Sequence, residues 1–331
     1  MKVCIVGAGA IGGFIGARLA RAGRAQVSAL ARGATLDALR AQGWRLRQGG
    51  ELLQAPAIAS ADAAELGRQD LLVIALKGQA LPEVAPRLAP LIGADTVVLP
   101  AMNGVPWWFG RGVAALGDAP LQCVDPGGVV SAAMPFDRVL GCVVHASTAT
   151  SEPGLVEHRM GQGLIVGEPL GEPAGGASER VQRVVALLAH AGFEATASAN
   201  IRQDIWYKLW GNLTINPVSA ITGATSDRVL DDPLVRGFCS AAMREAAAIG
   251  ERLGCAIAQS PEDRHAITRK LGAFRSSMLQ DVQAGRAIEL DAIVGVVHEI
   301  ARRLGLATPN IDALFGLTRL FGRVHGLYPE A

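Results

Sequence analysis

The chain has 331 residues, half of them hydrophobic and 18% charged, with a formal net charge of +1. This length allows two domains around a large core. The balanced charge argues against nucleic acid or an acidic membrane surface as a partner, and no apolar run reaches the roughly 18 residues of a membrane-spanning helix. The five scattered cysteines are predicted to stay reduced, as in a cytoplasmic protein, and no metal site is predicted.

The first residues predict a dinucleotide-binding turn. Apolar residues 2–6 predict a strand, and a G-x-G-x-x-G motif follows at once, ahead of a helix with an apolar stripe. In this setting the first glycine makes the tight turn, the second lets a pyrophosphate approach the backbone, and the third lets helix and strand pack closely. The helix N-terminus then faces the phosphates. The predicted cofactor-binding residues here are Gly7, Gly9, Ala10, Ile11 and Gly12. The same glycines favour strand, turn and helix over a signal peptide.

Arg32 follows the second predicted strand, residues 26–31. An NAD enzyme usually has Asp or Glu there to hold the ribose hydroxyls, whereas the first carboxylate here is Asp37. A guanidinium suits a 2′-phosphate, so the predicted cofactor is NADP(H). The alternative is a solvated arginine in an arginine-rich chain.

Two further strands are predicted at residues 70–76 and 96–99, and polar residues follow both. In open α/β sheets, ligands bind beyond the carboxyl ends of the strands. Lys77 and Asn103 are therefore predicted to lie where cofactor and substrate meet, although Asn-Gly is also a common plain turn. The rest of the predicted first domain, residues 1–199, consists of short β segments at 139–147, 155–158 and 164–167, a loop at 168–176, a helix at 179–191 and a strand at 193–197.

The predicted second domain, residues 200–331, is helical. Its helices are predicted at 202–222, 233–254, 261–284, 287–304 and 310–322. Together with the first half, this predicts an α/β protein in which a Rossmann-type parallel-sheet domain precedes an all-helical domain.

The first of these helices carries a polar stripe. Lys208, Asn212 and Asn216 are spaced four apart, so they share one face of an otherwise apolar helix. Burying such groups is costly unless something hydrogen-bonds them, which suggests a small polar substrate. Among 27 arginines and 4 lysines, Lys208 stands in an apolar context. Lysine can release its proton when partly buried, so Lys208 is a candidate proton donor. The alternative is a structural ion pair.

Four more residues are candidates whose role the pattern alone leaves open. Ser276 and Ser277 fit helix-surface hydroxyls as well as substrate contacts. Glu289 and Asp291 fit first-turn charges favoured by the helix dipole as well as active-site carboxylates.

Taken together, the chain resembles the ketopantoate reductase (2-dehydropantoate 2-reductase) family. The matching motifs run in family order over nearly the whole chain: GAGAIGG at 7–13, Arg32, Lys77, MNG at 102–104, KLWGNLTIN at 208–216, SSMLQD at 276–281 and IELD at 288–291. The resemblance implies an N-terminal Rossmann domain, a helical C-terminal domain and an active site between them. It also implies NADPH-dependent reduction of a 2-keto acid, with a place in pantothenate and coenzyme A biosynthesis.

The resemblance further assigns roles to individual residues. Lys208 becomes the general acid, and Glu289 a substrate and active-site partner. Asn212, Asn216 and Ser277 become substrate contacts, while Arg32, Lys77 and Asn103 lie at the cofactor and the floor of the cleft. Asn103 could serve either cofactor or substrate. The expected partner is a small 2-keto acid, and a homodimer is possible.

The chain departs from the family pattern at two places. Phe274 and Arg275 stand where some members carry an asparagine before the serine pair, and a bulky Trp107-Trp108-Phe109 loop follows Asn103-Gly104. That loop fits domain packing, or it reshapes the substrate pocket. The alternatives to a ketopantoate reductase are therefore a related NADP-dependent reductase of another 2-keto acid and a non-catalytic NADP(H)-binding redox sensor.

Overall fold

The computed structural model describes residues 1–330 and divides into two compact units. Unit 1 comprises residues 1–103 and 128–204, and unit 2 comprises residues 104–127 and 205–331. The predicted domain boundary between residues 199 and 200 stays a prediction. The compact units are not two consecutive stretches of chain, because residues 104–127 belong to unit 2. Within residues 1–330, no helix combines the length and apolar character that crossing a membrane requires.

Unit 1 is built on a parallel sheet in the strand order β5-β2-β1-β6-β7. These strands and their helices are β1 (Lys2–Val6), α1 (Ala10–Ala22), β2 (Gln26–Leu30), α2 (Gly33–Gln42), β5 (Ile58–Ser60), α3 (Ala63–Leu66), β6 (Leu71–Ile74), α4 (Leu81–Val84) and β7 (Val97–Pro100). The buried apolar runs of β1, β6 and β7 suit strands that are covered on both faces. The order reverses between β1 and β6, which is the switch point at which such sheets bind ligands.

A second sheet of unit 1 has the order β10-β9-β3-β4, and β8 pairs with β9. Its elements and the helices between them are β3 (Trp44–Gln48), β4 (Glu51–Ala55), α5 (Val129–Ala133), β8 (Gly141–Glu152), β9 (Leu155–Gly167), α6 (Glu179–His190) and β10 (Glu194–Ser198). Helix α1 packs against this sheet as well, because Gly16 and Gly13 leave no room for a side chain beside Trp44 and Val156. The glycines of α1 therefore let this helix pack closely against both the parallel sheet and the second sheet.

Unit 2 is helical in its later part, as predicted. Its helices are α7 (Ile201–Thr222), which begins within unit 1, α8 (Ser226–Asp231), α9 (Pro233–Arg252), α10 (Pro261–Arg269), α11 (Ser277–Gln283), α12 (Val296–Arg303) and α13 (Pro309–Val324). A π-helix, Asp291–Gly295, leads into α12. Short 3₁₀ helices occur in both units at Gly78–Ala80, Ala85–Leu91, Ala114–Leu116, Pro126–Gly128 and Phe136–Arg138.

The predicted fold class is confirmed, but several elements differ from prediction. The predicted helix 261–284 is wrong: it is two helices, because the chain turns at Gly272, whose φ is +62°, and restarts after the capping residue Ser276. The separate β segments predicted at 155–158 and 164–167 form one long strand, β9. The hairpin of β3 and β4 was not predicted.

Candidate active site

The glycine turn of unit 1 has the geometry of a phosphate cradle. Gly7 has a φ of +89°, which suits glycine, and its N–H donates to the carbonyl of Leu30. A Cβ on Gly12 would lie 2.0 Å from the carbonyl oxygen of Gly7 and 2.9 Å from Cγ2 of Ile5, so helix and strand touch there. A Cβ on Gly9, by contrast, would meet nothing within 4 Å. The turn is therefore closed where it packs and open where a ligand would approach.

Helix α1 begins at Ala10 without a side-chain cap. The first N–H groups of a helix have no partner within the helix and attract anions. Ala10, Ile11 and Gly12 supply these groups, so the N-terminus of α1 suits a pyrophosphate.

A cavity of about 680 Å³ opens at the carboxyl ends of β1, β2 and β6. Its lining includes Gly7, Gly9, Arg32, Thr35, Asp62, Leu76 and Arg87. Its size fits part of a dinucleotide, and its two guanidinium groups fit an added phosphate. Arg32 was predicted at this site from the sequence. Arg87 was not, because it lies in the 3₁₀ segment Ala85–Leu91, and no local pattern predicts how far that segment folds back.

Arg32 is exposed and forms an ion pair in this structure. Its Nη1 lies 3.7 Å from Oε1 of Glu83, and the side chains are 74% and 68% exposed. A pair so open to water contributes little to stability. Arg32 can therefore exchange this carboxylate for a bound phosphate at low cost.

Lys77 and Asn103 follow neighbouring strands. Lys77 lies three residues beyond β6 and precedes the 3₁₀ turn Gly78–Ala80, and Asn103 lies three residues beyond β7. Because β6 pairs with β7 in parallel, both residues leave the sheet at the same edge as Gly7. They lie along the edge at which parallel sheets of this kind bind ligands.

Helix α7 in unit 2 carries the polar stripe. Lys208 and Asn212 are half-buried and Asn216 is buried. Trp206 and Trp210 lie about 160° around the helix from Lys208, at 100° per residue. Their indole N–H groups donate to the carbonyls of Ala246 and Met243 on α9, at 3.2 and 2.7 Å. Two directional bonds on the opposite face fix the rotation of α7 and therefore the direction of the stripe.

Ser276 and Ser277 have different environments. Ser276 is buried and caps α11 by accepting the N–H of Leu279 at 3.1 Å, so it is not the helix-surface hydroxyl considered from the sequence. Its hydroxyl also lies 2.6 Å from that of Ser219, one turn beyond Asn216 on α7. Ser277, the first residue of α11, is exposed. The buried hydroxyl pair thus fixes Ser277 beside the carboxyl half of α7.

Glu289 lies just before the π-helix rather than in a first helical turn, because the helix begins at Leu290. Glu289 lies outside any helix or strand, and its side chain is half-buried. Ala292, within the π-helix, accepts the N–H of Val105 at 2.8 Å. Gly104, with a φ of +77°, lies so close to Ala292 that a Cβ there would be 2.2 Å from its carbonyl oxygen. The turn after Asn103 is therefore bound to the π-helix that follows Glu289.

The aromatic loop after Asn103 is buried. Trp107, Trp108 and Phe109 are at most 5% exposed, and the ring of Phe109 stacks on that of Trp206 with centroids 5.9 Å apart. Trp206 also bonds α9. These contacts support the packing interpretation of the loop.

Comparisons with known proteins agree with this architecture. The family model described as ketopantoate reductase PanE/ApbA matches residues 3–171, and its C-terminal model matches residues 200–321. The chain belongs to the ketopantoate reductase family. A 2-dehydropantoate 2-reductase from Mesorhizobium japonicum is 43% identical over 329 residues, covering 99% of this chain and 100% of that protein.

Solved structures share the fold over the full length. A crystal structure from Ralstonia solanacearum MolK2 is 53% identical, with a TM-score of 0.94 and coverage of 99% of both chains. The 2-dehydropantoate 2-reductase from Methylococcus capsulatus is 26% identical, with a TM-score of 0.81 and coverage of 98% of both chains.

Proposed function

We propose that this protein is an NADPH-dependent oxidoreductase that reduces 2-dehydropantoate to pantoate. The observation that carries the proposal is the fixed stripe of Lys208, Asn212 and Asn216 on α7, in a chain of the ketopantoate reductase family. The Mesorhizobium relative that bears this activity in its name matches from end to end.

Unit 1 supplies the cofactor site in this proposal. The open space at Gly9 and the uncapped start of α1 hold the pyrophosphate. Arg32, together with Arg87 in the same cavity lining, holds the 2′-phosphate. Lys77 and Asn103 contact the cofactor further along the sheet edge. When bound, NADPH supplies the hydride.

Unit 2 supplies the acid and the substrate contacts. Lys208 donates a hydrogen bond to the ketone oxygen and then its proton, an effect typically worth about 10²–10⁴ in rate. Asn212, Asn216 and Ser277 bind the carboxylate and hydroxyl groups of the substrate and so orient the ketone. Glu289 holds the Lys208 ammonium or a substrate hydroxyl.

The direct experiment is NADPH oxidation against a panel of 2-keto acids that includes ketopantoate. We expect ketopantoate to be the best substrate. A bulkier apolar keto acid that is turned over at least about tenfold faster would instead indicate a sister specificity, set by Phe274 and its surroundings. NADPH binding without turnover of any keto acid would support the redox-sensor alternative.

A lysine substitution tests the proposed acid. Lys208→Ala should lower kcat by about 10²–10⁴ and leave NADPH binding nearly intact. Lys208→Arg should rescue little, because arginine keeps its proton near neutral pH. The matched control is Lys270→Ala, an exposed lysine after α10 in the same unit, which should not change kcat. Preserved turnover with a large fall in Tm would make Lys208 a structural ion pair instead.

We further propose a cytoplasmic homodimer. Cytoplasmic residence suits the five free thiols, and the helical unit offers surface for pairing. Sedimentation equilibrium of the purified protein tests the dimer, and fractionation of the producing cells tests the location.

A further inference from the structure

The backbone around Glu289 is held on both sides by the residues that follow α13. The N–H of Ile288 donates to the carbonyl of Leu327 at 3.0 Å. The hydroxyl of Tyr328 donates to Oδ1 of Asp291 at 2.7 Å. All of these residues belong to unit 2. One bond thus precedes Glu289 by a single residue, and the other follows it by two.

The segment that makes these bonds is itself well anchored. After α13 the chain reverses at Gly326, whose φ is +66°, and the N–H of Leu327 returns to the carbonyl of Gly322 at 2.7 Å. Gly322 is the close-packing point: a Cβ there would lie 2.7 Å from Cβ of Tyr328 and 3.3 Å from Cδ1 of Ile288. Leu327 is 5% exposed. The residues that follow α13 are therefore held in place by a backbone hydrogen bond, close packing and burial.

Asp291 needs the Tyr328 hydroxyl. Burial raises the pKa of this carboxyl, and the bond from Tyr328 is the largest effect opposing that rise, ahead of the charge of Arg319. Burial and the neighbouring carboxylate raise the pKa of Tyr328 as well, so its hydroxyl keeps the proton that it donates. Asp291 also opens the π-helix, where its Oδ1 would lie 3.1 Å from a Cβ on Gly295. A half-buried carboxylate in so narrow a place is costly without a hydrogen-bond donor.

We propose that Tyr328 is a positioning residue, which holds Glu289 through its hydrogen bond to Asp291 and the adjacent Leu327–Ile288 backbone bond. This inference rests on the proposed function, in which Glu289 contacts Lys208 or the substrate. Two anchors within four residues remove most of the backbone freedom of Glu289 before the substrate arrives. Such pre-organisation raises the rate because less ordering is left for the reaction itself. Cofactor binding, which belongs to unit 1, does not depend on it.

The test replaces the hydroxyl and follows two readouts. Tyr328→Phe should lower kcat for ketopantoate about tenfold and change the KM for NADPH by less than about twofold. Amide exchange of peptide 286–291, read by mass spectrometry, should become about tenfold faster while exchange in α9 stays unchanged. The matched control is Thr318→Val, which removes a buried hydroxyl bond to Leu314 on α13 and should alter neither readout.

If Tyr328→Phe does not fold, variants of Asp291, the acceptor of the same hydrogen bond, test the inference instead. Asp291→Asn retains an oxygen acceptor and should stay within about threefold of wild-type kcat, whereas Asp291→Ala should match the expected Tyr328→Phe values. If the wild type reduces ketopantoate, and Tyr328→Phe changes neither kcat nor amide exchange, the inference about Tyr328 is overturned while the proposed function stands. If the wild type does not reduce ketopantoate, the proposed function fails, and the exchange measurement still decides whether Tyr328 holds residues 286–291.

Discussion

Exchanging Arg32 for alanine tests cofactor choice, because the change removes one guanidinium from the cavity at the ends of β1 and β2. NADPH and NADH differ in the 2′-phosphate. We therefore expect Arg32→Ala to weaken NADPH and leave NADH almost unchanged. Glu83, which pairs with Arg32 in this structure, sets how large the effect is.

The magnitude follows from the competition for Arg32. A charge-assisted contact to the phosphate is worth roughly 1.5–3 kcal/mol. The Arg32–Glu83 pair is 3.7 Å long and mostly exposed, and pairs of this kind are worth about 0.2–1 kcal/mol. Subtracting the cost of releasing Glu83 leaves roughly 0.5–2.8 kcal/mol, or about 2- to 100-fold in affinity. Glu83→Gln removes the competitor and should tighten NADPH binding about 1.4- to 5-fold.

Fluorescence titration of the purified protein with NADPH and with NADH measures both affinities without needing a substrate. Arg24→Ala is the control, since it removes an exposed arginine ahead of β2 and outside the cavity lining. Equal weakening of NADPH and NADH in Arg32→Ala would refute the 2′-phosphate assignment. NADPH binding that is unchanged in Arg32→Ala and weakened in Arg87→Ala would move the assignment to Arg87.

Other perturbations separate packing from binding. Gly12→Ala forces a Cβ against the carbonyl of Gly7 and should cost about 1–3 kcal/mol of unfolding free energy in urea, whereas Gly9→Ala meets nothing and should fold normally while losing NADPH affinity. Trp210→Phe removes the bond to the Met243 carbonyl and some buried volume, so calorimetry should show a lower Tm with NADPH affinity unchanged. Burial lowers the pKa of His265 below the ordinary histidine value of about 6.5. Wild-type stability should therefore fall as pH drops below 6.5, and urea titrations at about pH 7.5 and 5.5 should show a smaller fall in His265→Gln.

The sequence was most informative where signals are local. The first strand, the glycine turn and the first helix follow one another without interruption, so periodicity and turn chemistry agree there. The β3–β4 hairpin has a comparable local pattern: Trp44 and Leu46 alternate with arginines, and Gly49-Gly50 separates the two strands. This hairpin was not predicted, although its pattern is local.

Other features depend on tertiary contacts that no local pattern contains. Arg87 reaches the cofactor cavity through the path of a 3₁₀ segment. The pattern around Ser276 fits a surface hydroxyl. Its burial as the cap of α11 depends on the contact with Ser219 on α7, which no local pattern contains. The role proposed for Lys208 rests on the polar stripe of α7 and on the family resemblance, whereas that of Glu289 rests on the resemblance alone, and both stay predictions.

The segment 104–127 has a consequence for synthesis on the ribosome. Its N–H groups at Gln122 and Cys123 bond to Glu299, and 176 residues separate Cys123 from that partner. At a typical elongation rate of about 5–20 residues per second, the partner emerges roughly 9–35 s later. The ring of Phe109 lacks its stacking partner until Trp206 emerges, so nascent chains stalled before residue 206 should bind chaperones more strongly than chains released in full.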